Sequence, residues 1–451
     1  MRLSATSDER GSVWGLDSPH VLNRRDFAYA LAFTPDAQRL AYVHHVTVDM
    51  ELSVEHISVE NDRWKRAINH HQYDGEDVAF LPPRVAGATT VVVPSRQGIA
   101  RRFSTADDEV ATFAYGAPLT RVAVSPSGSL VALGGADGRV LLLDAERWAF
   151  VGEAHVHEDE VQGLRFLSDD RLLSVSFDGT ARETGLVRGA PKRFSAHTTR
   201  LDDGARAFLV HLDGQRAVTA VRDVRQPTTV ISSAAVARLG LSPLLEAPPA
   251  TVLTPLGPEP RPVVDMGELH LRYLRLGPMQ AAVCDECVPR GAELVLGAPL
   301  LQHASFGDDL ARSMLLVSMN ERAEGQGSND GASPAVAGWI AGAVSLVEGR
   351  RVILPGPGCD LDVSPITGQA VVAYSHARAI RTPDLYAQEK RGTFPPRSAA
   401  SGSILLDLET FELGRRYIGH EGFTVTAALS PDGKTIATGG WDRRLVVFDV
   451  A

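Results

Sequence analysis

A chain of 451 residues that is 44% hydrophobic and 22% charged carries enough apolar content for one large buried core or two. Its net charge of −10 argues against nucleic acid as a partner, and no stretch approaches the roughly 20 apolar residues of a membrane span. Three cysteines, Cys284, Cys287 and Cys359, are too few and too odd in number for a disulfide framework, so a reducing, cytoplasmic setting is expected.

The positive charge is nearly all arginine, with lysine only at Lys65, Lys192, Lys390 and Lys434. That skew fits a GC-rich bacterial genome better than a function. The first ten residues lack the apolar centre of a signal peptide. Two short apolar runs follow, Ser12-Val13-Trp14-Gly15-Leu16 and His20-Val21-Leu22.

A phrase then begins to recur: alternating apolar residues, a Ser-Pro or its relative, a turn, and a second apolar run. It reads Ala32-Phe33-Thr34-Pro35-Asp36, Ala79-Phe80-Leu81-Pro82, Ala123-Val124-Ser125-Pro126-Ser127-Gly128 and, more loosely, Arg165-Phe166-Leu167-Ser168-Asp169-Asp170. Period-2 alternation predicts strands with one side chain in two buried against a neighbouring sheet, and Pro, Asp and Gly predict the reversals. Second turns at Ala136-Asp137-Gly138 and Phe177-Asp178-Gly179 lead into further strands such as Val140-Leu141-Leu142-Leu143. Anchored on Pro35, Pro82, Pro126 and Ser168, the steps are 47, 44 and 42 residues.

From Ser168 to the next phrase, Asp362-Val363-Ser364-Pro365, the step is 197 residues. A second module of about 120 residues in that gap leaves roughly two repeat periods. One weakly marked repeat, built partly from 341–354, is therefore expected, together with a Gly-rich linker at 319–334. A loop at 375–402 explains the 66-residue step to Pro431. It carries Arg381, Tyr386, Lys390, Arg391, Phe394 and Arg397, a candidate partner-docking or protease-sensitive segment, because long loops in compact folds are often functional. The final phrase is Ala428-Leu429-Ser430-Pro431-Asp432-Gly433, preceded by Gly419-His420 and followed by Ala437-Thr438-Gly439-Gly440-Trp441-Asp442 and Phe448-Asp449.

That last segment resembles a WD40 repeat, with Phe448 in place of the usual Trp, and the repeat steps match the family period of about 40–45 residues. The resemblance implies an all-β propeller of seven blades, six being the alternative, with its ring closed by one of the two N-terminal runs. It also implies a structural network of His, strand Ser/Thr and turn Asp, carried in the fourth blade by His157, Ser176 and Asp178.

Residues 198–318 resemble a retropepsin-like, single-lobe aspartic protease domain. Residues 207–215 look like its opening hairpin. Val221-Arg222-Asp223-Val224-Arg225-Gln226 sits where the family has its Asp-Thr-Gly-Ala loop, and 234–241 looks like the short helix that follows. Glu293-Leu294-Val295-Leu296-Gly297-Ala298 resembles its second Leu-Gly turn and helix, and 309–316 its closing strand. Residues 206–223 also read as a WD40 strand pair turning at Asp213-Gly214. The resemblance makes Asp223 a vestigial catalytic candidate that would need a second copy, and hence a homodimer through the insertion, to form a dyad. Val224 and Arg225 replace the family's Thr and Gly, and a guanidinium beside Asp223 favours its ionised form. No catalytic residue is therefore assigned.

Cys284-x-x-Cys287 lacks a second pair at zinc spacing. His44-His45 and His70-His71 would point to opposite strand faces rather than chelate together. There is no phosphate-binding Gly loop and no Gly-x-Ser-x-Gly elbow, so no metal, cofactor or ordinary hydrolase chemistry is expected. The function expected is a non-enzymatic scaffold in bacterial regulation or signalling, with protein or peptide partners and among them a protease. The alternatives are a dimeric aspartic endopeptidase, or an inhibitor or cleavable target of a partner protease.

Overall fold

The computed structural model describes residues 12–14, 19–21, 28–34, 39–46, 49–56, 63–69, 77–82, 89–106, 110–214, 216–301, 304–319, 337–364, 366–375, 401–440, 442 and 444–450. The linker segment 320–334, His70-His71, Trp441 and all six candidate residues of the 375–402 loop lie outside them.

Among the described residues, turn-punctuated apolar runs fold into six successive antiparallel sheets, numbered here as blades one to six. Blade one spans 28–69, blade two 79–114 and blade three 119–155, each a four-stranded meander. Blade four takes three strands from 161–188 and its fourth, Val344–Ile353, from the far side of the insertion. Blade five spans 358–417, and blade six has three strands within 424–449. The innermost strand of each blade lies against the innermost strand of the next along the chain.

Segment 341–354 is thus no separate blade. Thr180–Arg188 needs a partner on its outer edge, and Val344–Ile353 supplies it by pairing Thr180 with Ile353 through to Arg188 with Val344. Ser12–Trp14 pairs with Pro19–Val21 in a hairpin of its own instead of adding to blade six, the four-residue spacing between the runs making the local pairing the shorter loop to close.

The expected one-in-two burial fails for the middle strands. Leu130–Gly135 and Arg139–Asp144 are buried almost throughout, because each blade has a neighbour on both faces. Val140 and Leu142 pack with Val161 and Leu164 of blade four. Leu141 and Leu143 face a cluster shared with Phe113 of blade two and with Phe208 and Leu269 of the insertion. Carboxylates strap the blades together. Asp77 accepts from Val122 N at 2.9 Å, and Asp362 from Leu429 N at 3.1 Å. The turn at Gly138 (φ +76°) admits only glycine, since a Cβ there would stand 1.9 Å from the His157 carbonyl oxygen.

The insertion forms a ten-stranded sheet that includes Arg193–Arg200 and Ala337–Trp339. Part of it closes on itself. Arg206–Leu212 pairs with both Arg216–Arg222 and Val263–Leu271, and the circuit is completed through Leu294–Leu296, Val230–Ile231 and Leu274–Val283. Closure leaves these strands no open edge. The 206–222 hairpin turns at Asp213-Gly214 as expected, but it belongs to this sheet and to no blade.

Candidate functional site

Asp223 follows directly on Arg216–Arg222, in a turn wedged against a second loop. Leu294–Leu296 runs parallel to Arg216–Arg222 and antiparallel to Val230–Ile231, so the two loops beyond them meet. Asp223 N donates to Leu296 O at 3.1 Å, and Ala298 N donates to Gln226 O at 2.9 Å. Gly297 is required at the crossing, where a Cβ would lie 2.3 Å from Thr228 O. Helix Ser233–Leu239 begins just beyond, capped by Ser232.

Both Asp223 carboxylate oxygens are occupied. Oδ1 accepts from Arg225 N and Nε, each at 2.9 Å, and Oδ2 accepts from Arg225 Nη2 at 2.9 Å. These bonds hold the Asp223 carboxyl below the ordinary range, against a smaller opposing effect of burial. Arg225 itself is 81% exposed. Acid–base hydrolysis needs a carboxyl that can hold a proton and present an oxygen to water. Here the ionised form is favoured and its oxygens face a guanidinium.

Hairpin 250–261 lies over this turn. The Gln226 side chain is buried and bonds both ways to its backbone, donating to Leu253 O at 2.7 Å and accepting from Leu253 N at 3.0 Å. Leu256 at the hairpin tip is 92% exposed, and Val224 in the turn is 72% exposed. Nothing in the composition of Gln226 or of the hairpin marked this pairing in the sequence, since its partners are 27 residues apart.

The histidine networks are structural. In blade four, His157 bonds Asp178 at 3.0 Å and Ser174 at 2.8 Å. The strand hydroxyl is Ser174 and not the expected Ser176. Both lie on one strand face, but Ser176 Oγ turns away to Asp159 O at 2.9 Å. Burial pushes the His157 pKa down, with Asp178 opposing it. In blade six, His420 bonds Asp442 at 2.8 Å and Thr438 at 2.9 Å.

A polar seam missed in the sequence joins insertion to blades. Tyr273 Oη accepts from Glu153 N at 2.6 Å and lies 2.9 and 3.1 Å from the Glu153 and Val344 carbonyl oxygens. Arg272 stacks on the Tyr115 ring at 4.5 Å and faces Glu153 at 3.7 Å. Asp137 takes a hydrogen bond from Tyr115 at 3.0 Å and pairs with His197. His211 is buried, stacks on Phe113 at 4.9 Å and donates to Ala114 O at 2.8 Å. Burial first, then the positive charge of Arg272, pushes its pKa down to about 4.

Cys284 and Cys287 form a disulfide, where the cysteine count had pointed to a reducing setting and no disulfide framework. The turn after Leu274–Val283 brings their Cα atoms to 5.4 Å, within bridging reach. Cys359 is free and buried, with its thiol pushed up to about 11 by burial. No cluster of three or more potential metal ligands occurs among the described residues, and no helix there is long and apolar enough to cross a membrane.

Residues 411–449 match the sequence model of the WD40 family, described as WD domain, G-beta repeat. The matched segment holds the outer strand Leu413–Tyr417 of blade five and the three strands of blade six, so the sequence repeat is offset by one strand from the sheet. The chain is also similar to a chain of the crystal structure of a mitotic checkpoint complex, at 12% identity over 94% of this chain and 90% of that one, with a TM-score of 0.39. No match was found among curated protein sequences.

Proposed function

We propose that this protein is a non-enzymatic scaffold, binding protein or peptide partners through its blades and through an insertion that is a single-lobe aspartic-protease-like module without the chemistry. The observation that carries this reading is the pairing of Asp223 with Arg225, which engages both carboxylate oxygens and favours the ionised form over the shared proton of a dyad. Support for the module comes from the order of its parts. Hairpin 206–222, the Asp223 turn, helix Ser233–Leu239, the Leu296-Gly297 turn and helix Ala298–Leu301 follow one another as the sequence resemblance implies. Support for the scaffold comes from the WD40 repeat at 411–449 and the buried, hydrogen-bonded state of the blade histidines. Fold alone names no partner, and the place of the protein in bacterial regulation is part of the same proposal.

Val224 and Arg225 on the turn and Leu256 on the hairpin are the exposed side chains offered to such a peptide. The test is a peptide array probed with wild-type protein and with Leu256→Glu. Retained peptides that survive intact, with weaker retention by the variant, support the reading. Equal retention by both removes the hairpin from it.

A further inference from the structure

The turn Cys284-Asp285-Glu286-Cys287 is a junction. Asp285 accepts from Ser233 N at 2.7 Å and Ser233 Oγ at 2.6 Å, so its carboxylate sits on the first turn of helix Ser233–Leu239. Cys284 N donates to Ile231 O at 3.1 Å, in the strand that enters that helix. Glu286 is ion-paired with Arg261, at the foot of hairpin 250–261, where Arg261 pairs with Ala250. The two sulfurs belong to a small core with Val252 and Ala250 of the hairpin, and with Val263 and Leu244. One four-residue loop thus ties down both the helix after the Asp223 turn and the hairpin above it. Cys284 is buried, whereas Cys287 is partly exposed.

We propose that Cys284–Cys287 is a redox switch, opened by a dithiol reductant, that sets how firmly hairpin 250–261 and helix Ser233–Leu239 are held. The reductant's thiolate attacks the sulfur of Cys287, the more exposed of the two residues, the S–S bond breaks, and Cys284 leaves as a thiolate that takes up a proton. The reductant's second thiol then attacks its own sulfur in the mixed disulfide. That step releases the Cys287 thiol and a cyclic disulfide, so two electrons and two protons pass to the protein. With the loop no longer closed, Asp285 and Glu286 lose their fixed positions. The helix then loses its carboxylate cap and the hairpin its ion pair.

The test uses the full chain, with dithiothreitol as reductant, alkylation to count thiols and amide hydrogen exchange as readout. Before reduction, alkylation of the folded protein should leave Cys284 and Cys287 unlabelled. After it both should label, while buried Cys359 reacts slowly. Exchange across 250–261 and 233–239 should then rise about tenfold, with 130–144 in blade three unchanged. Cys287→Ser should show the fast pattern without reductant and no response to it, and the titration of wild-type protein carries the test alone if that variant does not fold. Labelling of both cysteines before reduction would overturn the proposal. So would full reduction with unchanged exchange in the two segments, or exchange that rises equally in blade three.

Discussion

His211 places an acid-sensitive joint between the insertion and blade two. Its imidazole is buried on Phe113 with its Nε2–H on Ala114 O, so the neutral ring fits and the imidazolium does not. The folded pKa lies at about 4, against about 6.5 for an exposed histidine. A depressed histidine pKa means the unfolded chain takes up the proton first as pH falls. The contribution is therefore complete above about pH 6.5 and lost progressively down to about pH 4. Linkage between those two values gives a loss of about 2 kcal/mol between pH 7 and pH 4.5. Other groups titrate in this range, including His157 and His270, both also depressed chiefly by burial. The assay is therefore a difference: urea unfolding of wild-type and His211→Gln across pH 4.5–7, the Gln amide keeping a neutral donor. The stability gap between the two should shift by about 2 kcal/mol over this window. Parallel curves would refute the assignment of a buried neutral ring.

Arg225→Gly should move the Asp223 carboxyl back toward its ordinary range, because the two side-chain bonds from Arg225 are lost while the backbone one is kept; a carbon-detected NMR titration of the Asp223 side chain reads this, and an unmoved midpoint would contradict the chelate. Gly138→Ala should cost about 2–4 kcal/mol in denaturant unfolding, combining a left-handed backbone with overlap at the His157 carbonyl. A cost under about 0.5 kcal/mol would mean the turn is not held there. Tyr273→Phe should cost about 1–3 kcal/mol, since it strips a buried hydroxyl from Glu153 N and two carbonyls; the same unfolding assay checks it, and a cost near zero would mean the hydroxyl is not held there.

What could be read from the sequence was what is local. The Asp223–Arg225 pair spans two residues, so a guanidinium beside the carboxylate follows from the order of the letters. The blade turns carry their own Asp and Gly, and the last blade keeps enough of its phrase to match a family model. The non-local features were hidden. The outer strand of blade four, Val344–Ile353, alternates weakly and is separated from Thr180–Arg188 by the whole insertion, so no contiguous reading assigns it. The choice of Ser174 over Ser176 depends on a carbonyl, Asp159 O, that captures the second hydroxyl. The stacking of Phe113 on His211 joins residues whose sequence neighbourhoods have nothing in common. The disulfide was missed because a count of three cysteines says nothing about a turn that sets two of them face to face.

The central claim, a protease-like module without protease chemistry, meets its most direct test in a peptide-library digest read by mass spectrometry. Wild-type protein and Asp223→Ala would be compared between pH 4 and pH 7, at concentrations high enough to pair two insertions. The account predicts no cleavage by either protein at any pH. Cleavage by the wild type that disappears in Asp223→Ala would contradict it and make Asp223 a working member of a dyad despite Arg225.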